Sequence, residues 1–166
     1  MVRKILSEVL VRSGACAVGR KLFPMRGAVI LYGHRLTGDD EGYLEGLEPR
    51  DFAAQAAYLA RHYEIIPLSE LIACFEERRP VPERSVVLTF DDGFRDNLDV
   101  GLGVLERLRA PATVFVVTGC ISSGELPWSQ RLGYVFQRTE QRSAAIDLLG
   151  RDPVDLGDDR LRRSAY

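Results

Sequence analysis

Val86-Val87-Leu88-Thr89-Phe90-Asp91-Asp92-Gly93-Phe94 is the stretch from which the fold is read. An apolar and β-branched run meets two adjacent carboxylates and a glycine. The run does not alternate with polar residues, so it reads as a strand buried on both faces. The chain leaves the strand at Gly93. From Arg95 to Arg109, Leu98, Leu102, Leu105 and Leu108 fall on one face at helical spacing. Asp91 and Asp92 therefore stand at the carboxyl end of a strand, on a strand-to-helix turn, where α/β folds place their chemistry. The pair also has a structural reading, since Asp-Gly is a common turn and an acid before a helix favours its amino end. The helix that follows excludes the hairpin form of that turn, and Asp96 and Asn97 are better placed to cap the helix. Two neighbouring carboxylates are left whose repulsion needs a cation or a shared proton.

Outward from this stretch, strands alternate with helices. Buried runs predict strands near 28–32, 63–67, 85–90 and 112–117. Pro49 opens a helix with Phe52, Ala56 and Leu59 on one side. Ser69 is placed to cap a second helix that runs to Glu77. Residues 128–138 read as helical with Trp128, Leu132, Val135 and Phe136 inward, and 143–149 as a further short helix. Short turns between alternating strands and helices imply parallel β/α units. Residues 1–26 carry a helical stripe, Ile5, Leu6, Val9 and Leu10, and read as an amphipathic helix that packs on the domain or lies against a partner or a membrane surface. The domain proper then spans 27–150, and 151–166 is a charged, loosely attached tail.

Composition bounds the function. At 166 residues the chain is about one domain, and 46% hydrophobic with 28% charged residues suits a globular protein with a core. A net charge of −2 gives no support for nucleic acid as a partner. Glu8 and Arg12 interrupt the early apolar run, so neither a signal peptide nor a transmembrane span is expected in that stretch. Cys16, Cys74 and Cys120 have no C-x-x-C spacing and read as small thiols in a reducing compartment, so a cytoplasmic location is expected.

Thr89-Phe90-Asp91-Asp92-Gly93-Phe94-Arg95-Asp96-Asn97 resembles the first motif of the polysaccharide deacetylases, the NodB-homology carbohydrate esterases. Pro111 to Gly119 resembles the family's next strand. Ile30-Leu31-Tyr32-Gly33-His34-Arg35 resembles its first strand, where a tyrosine–histidine pair is usual and Gly33 here intervenes. The resemblance implies a partial (β/α) barrel with about four parallel strands and flanking helices. It also implies metal-dependent removal of N- or O-acetyl groups from an acetylated polysaccharide or oligosaccharide. By the same resemblance Asp91 would be the base and Asp92 a metal ligand. His34, at the end of the first strand, is a candidate second ligand or substrate contact, and Tyr32 and Trp128 are candidate substrate contacts. The metal would be a divalent ion, zinc by preference, with cobalt or nickel as alternatives. The family's His-x-x-x-His-like second motif has no counterpart, because no histidine follows His62, which reads as a solvated residue at a helix end. Two protein donors fall short of the three usual at catalytic zinc, so weak metal binding and weak or no activity are expected.

Two other readings compete. Paired acids after a strand also serve phosphoryl transfer in receiver-like domains, but the lysine that such sites take from a later strand is missing, since no lysine follows Lys21. The stronger rival is a non-catalytic, truncated deacetylase-like fragment that binds carbohydrate or a protein partner. An incomplete barrel would expose apolar side chains or an unpaired strand edge, and could self-associate.

Overall fold

A computed structural model describes residues 19, 27–37, 46–144 and 154–157. The amphipathic helix expected over 1–26 therefore lies, Gly19 apart, outside the described residues. The chain alternates strands and helices: β1 (Ala28–Gly33), α1 (Pro49–His62), β2 (Glu64–Ile65), α2 (Leu68–Glu76), β3 (Ser85–Phe90), a π-helical turn (Asn97–Leu102) running into α3 (Gly103–Leu108), β4 (Thr113–Val114), α4 (Thr118–Ser123) and α5 (Trp128–Arg138). The fold class is α/β, as the alternation predicts. The main sheet has four strands in the order β1-β3-β2, with β4 also pairing β3.

β3 is the centre of this sheet, and all six of its residues are buried. That is the outcome a non-alternating apolar run predicts. β2 runs parallel to it, with Glu64 opposite Ser85 and Ile65 opposite Val86. On β1, the Leu31 carbonyl accepts from Thr89 Oγ1, and the Gly33 carbonyl accepts from the Asp91 amide. The residue offset is the same at both bonds, so β1 and β3 also run in the same direction.

The chain divides into two compact units. The first comprises 1–32, 55–89 and 105–113; the second comprises 33–54, 90–104 and 114–166. In the first, Ile66, Leu71 and Val87 form a buried cluster, packed by Ala28, Leu68 and Val81. In the second, the Phe52 and Phe90 rings meet edge to face, 5.7 Å between centroids, a favoured aromatic geometry. Phe52 and Ala56 are both buried, so the inward face read for α1 is the observed one.

Several expectations are corrected. β1 is not a buried strand: Val29, Ile30, Leu31 and Tyr32 are exposed, and among the described residues β1 ends the strand order, paired with β3 alone. The strand expected over 112–117 forms a ladder only at Thr113–Val114, and Val114 through Val117 are exposed. Ser69 does not cap α2; Pro67 stands at the cap without a side-chain bond, and its carbonyl accepts from the Glu70 and Leu71 amides.

The leucine face read for 95–109 is also displaced. Leu98 and Leu102 are exposed, whereas Asn97, Val104 and Leu105 are buried, together with Gly101. The wider π-helical turn at 97–102 breaks the 3.6-residue count on which that face rests. In α5, Gly133 and Phe136 are buried, while Trp128, Leu132 and Val135 are exposed. The helix expected over 143–149 begins instead as strand β5 (Ser143–Ala144), antiparallel to β6 (Val154–Asp155). The Leu156 amide donates to the Arg142 carbonyl at 2.8 Å, and Leu156 is buried. The expected loose tail is therefore tied down at 154–156.

Candidate active site

Two strand ends build the site, and both lie in the second unit. β3 delivers Asp91 and Asp92 one and two residues past Phe90, and β1 delivers His34 one residue past Gly33. The Asp91 amide donates to the Gly33 carbonyl at 2.8 Å, which fixes the two exits side by side. His34 Nε2 consequently lies 3.9 Å from Asp91 Oδ2, with the two side chains 50% and 37% exposed. The separation is too long for a hydrogen bond but close enough for an ion pair when the imidazole is protonated. The structure thus brings together Asp91 and the one early histidine that the sequence singles out.

Asp92 and Gly93 form the turn itself. Both occupy the left-handed region, with φ of 67° and 68°. Glycine adopts this conformation without cost, and aspartate is among the few other residues that tolerate it. Gly93 is constrained a second way, since a Cβ there would lie 2.8 Å from Val116 Cγ1. The chain after β4 is held against this turn by the Phe115 amide, which donates to the Phe90 carbonyl at 2.7 Å.

Asp96 and Asn97 do not cap the helix that follows, contrary to the sequence reading. Asp96 is already helical in backbone and makes no side-chain cap; its Oδ2 instead accepts from Arg35 Nε at 3.3 Å. Asp96 Oδ1 and both polar atoms of the Asn97 side chain are buried without a hydrogen-bond partner. A cavity of about 500 Å³ lies beside this pair, its lining including Arg35, Leu36, Phe94, Arg95, Asp96 and Asp99. His34, Asp91 and Asp92 do not line it. The Arg35–Asp96 pair was not legible beforehand: opposite charges 61 residues apart carry no sequence signal until the fold joins them.

Among the described residues, no group of three histidine, cysteine, aspartate or glutamate side chains is arranged to hold a metal ion. Asp92 and His34 are the two donors the sequence offers, one fewer than a catalytic zinc usually takes from its protein. The described donor set therefore does not make a complete metal centre. Of the two candidate substrate contacts, Tyr32 lies on β1 in the first unit and is 74% exposed, and Trp128 opens α5 and is 78% exposed.

Residues 78–145, which contain β3, the Asp91-Asp92-Gly93 turn, β4 and α5, match the family model described as polysaccharide deacetylase. The structure resembles IcaB from Ammonifex degensii at 27% identity with a TM-score of 0.53, over 58% of this chain and 40% of that one. It also resembles a de-N-acetylase from Aggregatibacter actinomycetemcomitans, at 20% identity and a TM-score of 0.50, over 61% of this chain and 42% of that one. A third likeness is to the Streptococcus pyogenes deacetylase PplD, solved in complex with acetate, at 22% identity and a TM-score of 0.50, over 61% and 47% of the two chains. The last two concern fold alone. The chain spans less than half the length of each of these deacetylases. A search of curated protein sequences gave no match. β1 and His34 lie outside the residues that match the family model, so the case for His34 rests on its distance to Asp91.

Proposed function

We propose that this polysaccharide deacetylase segment takes part in hydrolysis of acetyl groups from an acetylated polysaccharide or oligosaccharide, with Asp91 as the general base. The observation that carries the reading is the His34–Asp91 pair at 3.9 Å, set on the strand-end turn of the family's matching residues. The Asp91 carboxylate would accept a proton from the attacking water. That water's oxygen adds to the acetamide carbonyl carbon, and the C–N bond then breaks to give acetate and an amine, which takes up the proton. His34, adjacent to Asp91, would move that proton or hold the substrate. Asp92 is the proposed donor to a divalent metal, zinc by preference with cobalt or nickel as alternatives, and His34 is a further candidate donor. A bound metal would polarise the carbonyl. Because the described residues fall short of a full donor set, weak metal affinity and weak or no turnover are expected. Tyr32 and Trp128 are the proposed sugar contacts.

The test is acetate release from acetylated amino-sugar oligomers with added zinc, cobalt or nickel, alongside metal titration. Asp91→Asn is expected to abolish turnover while leaving residual metal binding, and Asp92→Asn to weaken both. Asparagine tolerates the left-handed backbone of position 92, so that variant removes charge without adding strain. Robust turnover that is insensitive to chelator would overturn the assignment of Asp92. A second reading, a non-catalytic domain that binds carbohydrate or a protein partner, is favoured by the incomplete donor set among the described residues. Binding of acetylated oligomer without acetate release would support it.

A further inference from the structure

His34 is half exposed, and its place beside Asp91 depends on what holds residues 34–37. Among the contacts that do so within the second unit, three bear on the residues next to His34. The Arg35 carbonyl accepts from the Leu47 amide at 2.9 Å. Leu36 is buried, packed so closely at Gly101 that a Cβ there would lie 3.0 Å from Leu36 Cδ1. The third contact is the Arg35 side chain. Its Nε lies 3.3 Å from Asp96 Oδ2, with the two side chains only 23% and 17% exposed, and its guanidinium stands 5.5 Å from the centre of the Phe94 ring. A guanidinium both paired and set over an aromatic face is restrained in plane as well as position. Partial burial also spares the pair much of the screening that weakens exposed ion pairs.

The first two contacts tie the loop to Leu47 and to Gly101. The third ties the residue after His34 to Phe94 and Asp96, on the segment that immediately follows Asp91-Asp92-Gly93. We propose that Arg35 and Asp96 form a positioning latch that holds His34 beside Asp91. The latch is a statement about structure; its catalytic consequence rests on the deacetylase reading above.

The Asp91 amide reports on the latch directly, since it is protected by its bond to the Gly33 carbonyl. Amide hydrogen exchange would be measured by NMR on the full chain, Arg35→Met, Asp96→Asn and the double variant. Each single change is expected to speed exchange at Asp91 roughly five- to tenfold, with the amides of Val86 to Leu88 unchanged. The double variant is expected to exchange no faster than either single one, because both changes remove the same contact. Unchanged exchange at Asp91 would overturn the latch and leave Leu36 as the anchor. Equal acceleration along all of β3 would also overturn it, by showing a general structural role. In the acetate assay, Arg35→Met is expected to lower kcat/KM; an unchanged kcat/KM beside faster exchange at Asp91 would show that the latch has no catalytic consequence. Absence of turnover in the unmodified chain would count against the deacetylase reading alone, since the exchange measurements decide the latch without it.

Discussion

At the scale of single residues, the Asp92-Gly93 turn carries the tightest constraint near the site. Gly93→Ala would place a Cβ on a left-handed backbone and 2.8 Å from Val116 Cγ1. The backbone term costs about 1–2 kcal/mol, and displacement of Val116 adds to it. The expected loss is roughly 2–3 kcal/mol in denaturant unfolding; a variant as stable as the parent would show that the turn can relax. The acids were legible from sequence because a buried run ending in Asp-Asp-Gly leaves few other placements. The partners of Asp96 were not. A short polar residue before a helix predicts a cap, and only the folded chain brings Arg35 within reach of the same carboxylate. The geometry of Gly93 was half legible: a glycine after two acids announces a turn, but nothing in the sequence announces Val116 against it.

At the scale of elements, β3 organises the first unit. Val87 has no exposed surface and sits in the cluster with Ile66 and Leu71. Val87→Ala is expected to cost about 2 kcal/mol through lost burial and the cavity left behind. Val29→Ala, on the exposed β1, is expected to change stability by less than about 0.5 kcal/mol. Equal effects of the two in chemical denaturation would contradict the burial difference. The same contrast explains where reading from sequence succeeds. An apolar run shows that a strand can be buried, but whether it is depends on what the fold places around it; among the described residues β3 has strand neighbours on both sides and β1 on one. In the segment after Gly93 the leucine spacing was real, yet the π-helical turn at Asn97–Leu102 put Leu98 and Leu102 outside. Helical periodicity assumes a constant residue count per turn, and a single wide turn voids the assumption without altering the pattern of letters.

At the scale of the whole molecule, the apolar surface expected of a partial barrel is present on Val114, Phe115, Val116 and Val117. The two units are interleaved along the chain, passing from one to the other after residues 32, 54, 89, 104 and 113. The unit that holds His34 and Asp91 therefore needs 33–54 as well as 90–104 and 114–166. A polypeptide of residues 90–166 would retain both aspartates but lose Arg35, Leu36 and Phe52. It is expected to show no cooperative unfolding transition by circular dichroism, and a sharp transition would show that the first segment is dispensable. The interleaving also bears on inheritance. Any genetic crossover between codons 33 and 113 divides both units at once, so neither can be exchanged as a cassette by one recombination event within that interval. The candidate site can then change by substitution in place, or pass to another gene only in company with most of the residues that fold the rest.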